Sequence, residues 1–412
     1  MDSLQDRLSF FVATDVLKET RRANWTWSEP RQETVAEHVW HCTLLAMLLA
    51  DTAPDGTDHD HVRDLLTIHD LVEVFAGDTV IWDDVPENDV ATREERAGER
   101  LIGMLPESRR ARFDSLWREF QAQETIEARF ARAIDALHPM LMSWGPGSQG
   151  QLDLSLTSTM ALTRKQSVLE AFPQLWEMVQ GIVRHAVDCQ WISSDEMTPE
   201  TYGLSQPSDR LAFFFATDAL KALSRANWVR SGRRTETVAE HCWHVILLAM
   251  LFEDAAPEGI DHNHVRDLLT IHDLVEVFAG DTVLWDDVPL PEVDAREQAA
   301  GERLMAMLSG APRERFDPLW REFQAQETAE ARFARAIDSI HPVLVSWSLR
   351  GKGHQNTTLT PTRIIERKRP FIQGFPDLWD LTLWIVQEAV NEGLMPEDEM
   401  MQKAEDPHHA RT

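Results

Sequence analysis

The chain has 412 residues, of which 43% are hydrophobic and 26% charged, a composition that is ordinary for a globular protein. The net charge of −29 argues against binding a nucleic-acid polymer over a broad surface, because such binding depends on Lys and Arg at phosphates. No stretch approaches the roughly 18 consecutive apolar residues of a membrane helix. The three cysteines have no cysteine at the equivalent repeat position, so neither a disulfide framework nor a thiolate metal site is expected.

The first residues are acidic and amphipathic and do not show the basic and apolar regions of a signal peptide, so a cytoplasmic location is expected. From there on, the sequence repeats itself at an offset of 203 residues, and the run Arg63–Val80 recurs letter for letter at Arg266–Val283. This period predicts two domains, residues 1–200 and 201–400, each long enough to bury its own core. The tail from 401 to 412 is predicted to be disordered.

Helical periodicity dominates both halves. In the first half, apolar residues recur at helical spacing over residues 34–50, 62–77, 91–105, 111–124 and 127–144. A glycine at the end of the second stretch suits a helix C-terminus. No region shows the sustained alternation of a strand, so the pattern predicts an all-α fold for each half.

Histidines and acids recur together on these predicted helices. His69 and Asp70 are adjacent, and Glu73 follows at a spacing that places all three on one helix face. His38 lies on the preceding helix and Asp135 on a later one, both among apolar residues. An isolated His-Asp pair can be a buried His held by an acid. Repetition of the whole set favours a functional site, and two imidazoles with two carboxylates suit a divalent transition metal.

The order His, then His-Asp, then Asp across an all-α domain resembles the HD-domain metal-dependent phosphohydrolases. HDLVEVFAGDT and QAQETxEARFARAID resemble their subgroup related to bacterial 5′-deoxynucleotidases, and the likeness covers nearly all of each half. It implies two tandem HD-domain helical bundles, each with one divalent metal (Mn, Co, Mg, Zn or Fe) that activates a water to attack a nucleoside monophosphate. The implied metal ligands are His38, His69, Asp70 and Asp135, and in the second domain His241, His272, Asp273 and Asp338.

The resemblance also implies roles for nearby acids and hydroxyls. Glu73 and Glu276 match an acid close to the metal that would position or deprotonate the water. Asp78 and Asp281 match an acid near the leaving oxygen, although Gly-Asp-Thr is also an ordinary turn sequence at a helix end. The neighbouring hydroxyls, which could hydrogen-bond phosphate, are Thr79 and Thr282.

The motif RANW occurs once in each half, and relatives carry an Arg and a Trp here that contact phosphate and sugar. Arg22 and Arg225 are therefore the candidate phosphate clamps, because a guanidinium can grip two oxygens. A solvated Arg beside a packed Trp is the alternative. The remaining candidates in this region are Trp25, Trp228 and the alternates Arg31 and Arg234.

Four further histidines lie near the predicted ligands. His41 and His244 stand three residues after the first ligand of each half, and His138 and His341 three residues after the last. They are interpreted as core-edge histidines, with contact to a metal ligand or to substrate as the alternative.

Rival classes fit the sequence less well. Diiron HD oxygenases have extra histidines between the HD pair and the last Asp, and none occurs from Leu71 to Ile134. A non-catalytic nucleotide sensor would have eroded ligands, and neither set is eroded. The predicted function is therefore a phosphohydrolase of nucleotides, most of all 5′-(deoxy)nucleoside monophosphates, with a sensor or an iron oxygenase as alternatives. The halves are expected to form an internal pseudo-dimer, with further oligomerisation left open.

The two halves differ most after the last predicted ligand. Three positions illustrate this. The second half has His354, Arg363 and Arg369 where the first half has the uncharged residues Gln151, Met160 and Gln166. The hypothesis is that this segment borders the substrate site, so that the halves differ in substrate or activity. Drift in an inert loop explains the difference equally well.

Overall fold

The structure, a computed structural model, describes residues 4–78, 86–148, 150–200, 208–281, 290–351 and 359–398. These residues form helices with one small antiparallel hairpin in each half. The first half contains α1 (Leu4–Thr14), β1 (Arg21–Trp25), β2 (Gln32–Thr34), α2 (Val35–Leu48), α3 (His59–Ile68), α4 (Glu73–Ala76), α5 (Glu87–Gly103), α6 (Glu107–Ala122), α7 (Ile126–Trp144), α8 (Ser158–Leu169) and α9 (Pro173–Asp188). The second half contains α10 (Asp209–Thr217), β3 (Ser224–Trp228), β4 (Thr235–Thr237), α11 (Val238–Leu251), α12 (His262–Ile271), α13 (Glu276–Ala279), α14 (Leu290–Met305), α15 (Gly310–Ala325), α16 (Ala329–Trp347), α17 (Pro361–Ile372) and α18 (Pro376–Asn391).

Helix α2 lies at the centre of the first half, and every one of its residues is buried. It begins with a capping box, in which the Thr34 side chain accepts from the Glu37 amide and the Glu37 carboxylate accepts from the Thr34 amide. Helices α3 and α7 pack against it. Because α2 and α7 carry predicted ligands and α3 leads directly into the turn that carries two more, the packing of these helices decides whether the ligands meet.

The predicted helix over residues 62–77 is wrong as a single element. α3 ends at Ile68, and a tight turn leads into the short α4. In that turn the Leu71 amide donates to the Ile68 carbonyl at 3.0 Å, and the Glu73 amide to the Asp70 carbonyl at 3.0 Å. These i to i+3 bonds wind the backbone more tightly than an α-helix, so His69, Asp70 and Glu73 are brought together by a turn and not by a helix face.

The prediction that no strand is present is also wrong for one segment of each half. β1 pairs antiparallel with β2, with Arg21 opposite Thr34 and Trp25 opposite Gln32. Strands of five and three residues with an irregular register are too short to show a clear alternation. The hairpin packs on α7 through Asn24, whose amide donates to the Ser143 hydroxyl at 2.8 Å.

The two halves share one core. α2 packs against its counterpart α11, and buried apolar side chains from both halves form a continuous cluster. The contacts are reciprocal, as in a pseudo-dimer: the Trp40 indole donates to the Thr270 carbonyl at 3.1 Å, and the Trp243 indole to the Thr67 carbonyl at 3.2 Å. Within the described ranges, no helix has the length and apolar character needed to cross a lipid bilayer.

Candidate active site

Four predicted ligands converge in the first half. His38 comes from α2, His69 and Asp70 from the turn after α3, and Asp135 from α7. His38 Nε2 lies 3.1 Å from Asp135 Oδ1 and 3.7 Å from Asp70 Oδ2. His69 Nε2 lies 3.3 Å from Asp70 Oδ2 and 3.7 Å from Asp135 Oδ1. Two helices and a turn thus point four ligand atoms at one small volume.

The second half repeats this arrangement. His241 Nε2 lies 3.1 Å from Asp338 Oδ1 and 3.7 Å from Asp273 Oδ2. His272 Nε2 lies 3.2 Å from Asp273 Oδ2 and 3.4 Å from His241 Nε2. The agreement between the halves follows from their shared sequence and gives two sites of the same design.

The first-half cluster fits a divalent metal. Ligand atoms about 2.1 Å from one ion lie roughly 3.0–3.4 Å from each other, close to the separations found here. The His69 Nδ1–H donates to the Leu66 carbonyl at 2.7 Å, which leaves Nε2 with its lone pair facing the cluster. That buried Nε2 has no hydrogen-bond partner. An orphaned ring nitrogen between two carboxylates is the arrangement that a cation would satisfy.

The electrostatics of the first-half cluster support the same interpretation. Burial alone would lower the pKa of His69, but the carboxylates of Asp70 and Asp135 outweigh it and raise that pKa to about 10. The pKa of Asp70 is lowered, because the charges of His69 and Arg22 outweigh its burial. The site therefore attracts positive charge strongly, either a proton or a metal ion.

Two further acids lie beside the ligands. Burial and the neighbouring Asp70 carboxylate raise the pKa of Glu73 well above its usual value, and they raise the pKa of Asp78 as well. The buried Glu73 Oε2 has no hydrogen-bond partner. Glu276 and Asp281 show the same raised pKa values in the second half. The structure thus places each of these four acids beside the ligand cluster of its own half.

Arg22 reaches these acids from the hairpin. Its Nη1 lies 2.8 Å from Asp70 Oδ2, 3.5 Å from Asp78 Oδ1 and 3.9 Å from Glu73 Oε1. Arg225 repeats the first contact at 2.7 Å from Asp273 Oδ2. The alternative of a solvated Arg is therefore wrong for both residues.

Comparison with known proteins agrees with this geometry. A family model described as HD domain matches residues 14–176 and again residues 217–379. The chain belongs to the HD-domain family. The predicted resemblance, including its tandem duplication, is confirmed.

This tandem HD-domain chain is also similar to individual proteins with known names. It is 29% identical over 137 residues to human (Homo sapiens) 5′-deoxynucleotidase HDDC2, a match that covers 33% of this chain and 66% of the relative. It is 24% identical over 136 residues to Schizosaccharomyces pombe 5′-deoxynucleotidase hdd1, with 32% and 67% covered. The chain spans about two thirds of the length of these curated relatives. A crystal structure of a predicted metal-dependent phosphohydrolase from Magnetospirillum magnetotacticum MS-1 is 30% identical, covers 46% of this chain and 95% of its own, and has a TM-score of 0.41.

Each HD domain contains two cations that the sequence patterns did not reveal. Arg132 Nη1 lies 3.2 Å from Asp135 Oδ2 and its guanidinium stacks over the Phe120 ring. Lys165, on α8, is buried, and burial lowers its pKa to about 8. The second-half counterparts are Arg335 and Lys368. Lys165 could have been found, because Arg-Lys is shared at the repeat offset within a segment that otherwise diverged.

A cavity of about 160 Å³ opens onto the second-half cluster. The side chains around it include acids, cations and one exposed aromatic ring: His272, Asp273, Glu276, Asp281, Asp338, Arg225, Arg335, Lys368, Ser339 and Phe371. Two of these differ in the first half, where Ala136 replaces Ser339 and Val168 replaces Phe371. Helix α17 thus borders the cavity. At the two positions just named, the side chains of the two halves differ in size and polarity.

Other predicted residues lie elsewhere or outside the described ranges. Arg31 pairs with Glu37 and Arg234 with Glu240, each within its own half, so these carboxylates already engage both guanidinium groups. Trp25 is 48% exposed at the end of β1, and Trp228 does not line the cavity described above. Arg369 stacks on the Trp379 ring. Three predicted residues, Thr79, Thr282 and His354, and the tail 401–412 lie outside the described residues.

The four histidines interpreted as core-edge residues are fully buried, and one in each half contacts a predicted ligand. His38 Nδ1 lies 3.1 Å from His138 Nδ1, and His138 Nε2 lies 3.1 Å from His41 Nδ1. Burial lowers the pKa values of His41 and His138 well below the usual range, so both rings are neutral. In each half one of these histidines thus contacts a predicted ligand, and the other contacts that histidine.

Proposed function

We propose that this chain is a metal-dependent phosphohydrolase that removes phosphate from nucleotides, with one centre in each half and 5′-deoxynucleoside monophosphates as favoured substrates. The observation that carries the proposal is the convergence, in both halves, of two imidazoles and two carboxylates with buried or half-buried cations. The names of the curated relatives support the choice of substrate.

The clustered imidazoles and carboxylates would hold the metal. In the first half these are His38, His69, Asp70 and Asp135, and in the second half His241, His272, Asp273 and Asp338. When bound, a divalent ion lowers the pKa of a water and offsets charge on the phosphoryl oxygens. A mixed set of nitrogen and oxygen donors accepts first-row ions such as Mn²⁺, Co²⁺, Fe²⁺ and Zn²⁺.

The cations beside the cluster would bind the phosphate. Arg22 would grip two phosphoryl oxygens, and Lys165 with Arg132 would face the third. Local cations are necessary because the net charge of −29 makes most of the protein repel a phosphate dianion. Arg225, Lys368 and Arg335 would act in the same way in the second half.

The two flanking acids would act on the water and on the leaving group. The Glu73 side chain would position the attacking water, because its raised pKa disfavours the ionised form that a general base needs, and the Asp78 carboxyl would donate a proton to the leaving 5′ oxygen. The raised pKa of Asp78 suits donation, because a larger fraction of the carboxyl is protonated near neutral pH. Glu276 and Asp281 are the counterparts. We further propose that Thr79 and Thr282 hydrogen-bond phosphate.

A phosphate-release assay tests the proposal. Ribonucleoside and deoxyribonucleoside 5′-monophosphates are incubated separately with Mn²⁺, Co²⁺, Mg²⁺ and Zn²⁺, and His69→Ala/His272→Ala serves as the inactive control. Release above that control is expected with deoxyribonucleotides. Nucleotide binding without release under any metal would contradict a hydrolase and favour a sensor, and iron-dependent oxygen consumption would favour an oxygenase.

A further inference from the structure

A row of imidazoles leads from the first-half cluster into the second half of the chain. It passes from His38 through His138 to His41, with 3.1 Å at each step. His41 Nε2 then lies 3.2 Å from the Phe214 carbonyl oxygen and 3.3 Å from the Thr217 hydroxyl. The Phe214 ring also stacks on the His41 ring at a centroid distance of 3.8 Å. The row therefore ends on the last turn of α10, where helix carbonyls lack their usual backbone partners.

The end of the row fixes the direction of every hydrogen bond in it. The Thr217 hydroxyl donates its hydrogen to the Phe214 carbonyl at 2.7 Å, so both partners of His41 Nε2 can only accept. His41 must therefore carry its hydrogen on Nε2 and accept at Nδ1 from His138 Nε2–H. His138 then accepts at Nδ1 from His38 Nδ1–H. His38 is left with the lone pair of Nε2 facing Asp135, which is the tautomer that a metal ligand requires.

A second contact from the other half reaches the same centre. The fully buried Lys221, in the 3-10 turn after α10, lies 3.0 Å from Glu33 Oε2. The other oxygen of Glu33 lies 3.7 Å from His38 Nδ1 and 3.8 Å from Arg22 Nε. A buried carboxylate needs a compensating charge. Lys221 supplies it, and so holds Glu33 between a ligand and the phosphate clamp.

The same contacts run in the opposite direction. From His241 the row passes through His341 to His244, which lies 3.2 Å from the Thr14 hydroxyl and 3.3 Å from the Phe11 carbonyl. The Thr14 hydroxyl donates to the Phe11 carbonyl at 2.7 Å. Lys18 lies 2.8 Å from Glu236. Residues of α1 and of the turn after it, in the first half, thus contact the end of the second row and Glu236.

We propose that each metal centre is a shared site, in which Phe214, Thr217 and Lys221 of the second half position the first centre, and Phe11, Thr14 and Lys18 of the first half position the second. The inference rests on the proposed function for its metal ligands. These are positioning residues, because they act on the centre through His41, His138 and Glu33 and their counterparts. Neither half of the duplication would then form a complete centre by itself.

The first experiment reads the tautomer of His38 in metal-free full-length protein by ¹⁵N NMR of labelled histidine, with His38→Asn to assign the signals. The hydrogen is expected on Nδ1. His41→Phe keeps the ring but removes the directed row, so the hydrogen should move toward Nε2. His41→Gln should restore Nδ1–H, because its amide accepts and donates in the same order. A wild-type His38 with its hydrogen on Nε2 would overturn the proposal. This readout needs neither metal nor activity, so it separates failure of the inference from failure of the proposed function.

The second experiment asks which half controls which centre. Mn²⁺ affinity is measured in His272→Ala, which keeps only the first centre, and in His69→Ala, which keeps only the second. Lys221→Met should weaken the first centre by about tenfold or more and the second by less than about twofold, as expected for loss of a partner behind a ligand. Lys18→Met should do the reverse.

Removal of a buried Lys risks unfolding, so the near-isosteric pair Thr217→Val and Thr14→Val repeats the comparison with the same crossed pattern. Equal effects of either pair on both centres, or no effect on either, would overturn the proposal.

Discussion

Arg22 Nη1 lies 2.8 Å from Asp70 Oδ2, so the proposed phosphate clamp is held by a proposed metal ligand. Phosphate and Asp70 would compete for the same guanidinium. The contact fixes the orientation of Arg22 before substrate arrives and reduces the entropy lost on binding.

We expect Arg22→Lys to lower kcat/KM of the first centre, measured in the His272→Ala background. An ammonium cannot grip two oxygens, and losing one charge-assisted hydrogen bond costs about 2–3 kcal/mol, or roughly 30–160-fold. The control is Arg21→Lys, because the Arg21 side chain is exposed and donates to the Gln32 carbonyl at 2.8 Å. Equal losses in the two variants would speak against the clamp.

The buried Lys165 predicts a pH dependence. Its pKa is lowered to about 8 by burial, so its charge is present below that pH and lost above it. In the His272→Ala background, KM should rise as the pH increases through about 8. Lys165→Arg should abolish this rise, because a guanidinium stays charged, and Lys165→Met should show a high KM at all pH values. A wild-type rise that persists in Lys165→Arg would exclude Lys165 as its source.

The two centres should differ in base preference. Phe371 is 37% exposed at the second-half cavity, where the first half has Val168. An aromatic stack contributes about 0.5–1.5 kcal/mol, so Phe371→Val should lower kcat/KM for purine nucleotides by roughly 2–12-fold in the His69→Ala background. Val168→Phe in the His272→Ala background should shift the first centre the other way. Unchanged purine-to-pyrimidine ratios in both exchanges would place the base elsewhere.

A matched pair of glycines tests the packing of α5 and α14. A Cβ at Gly301 would overlap the Trp320 ring at Cζ2, whereas a Cβ at Gly98 would lie 3.0 Å from Trp117 Cη2. Alanine favours a helix by about 1 kcal/mol over glycine, and overpacking costs about 1–3 kcal/mol. Gly301→Ala should therefore lower the free energy of unfolding by about 1–2 kcal/mol, while Gly98→Ala should change it by less than about 0.5 kcal/mol. Denaturant titration measures both, and equal values would contradict the difference in packing.

The local sequence determined much of the site. The identical repeated segment, together with the family resemblance, identified the clustered imidazoles and carboxylates, because the residue types that can bind a metal are few and their helical setting is readable from periodicity. Arg22 was found in the same way, from a motif that both halves retain. The turn at His69 was not predicted, because apolar periodicity does not distinguish an α-helix from a few residues of tighter winding.

Tertiary structure alone decided which groups support these residues. Lys221 resembles an ordinary surface lysine in the sequence, and only the packing of distant helices buries it beside a carboxylate. The tautomer of His38 depends on a carbonyl in the other half, a backbone group that every residue carries and that no side-chain pattern can mark. Sequence specifies the chemistry of a site through residue type, whereas orientation and charge compensation arise from contacts between segments far apart in the chain.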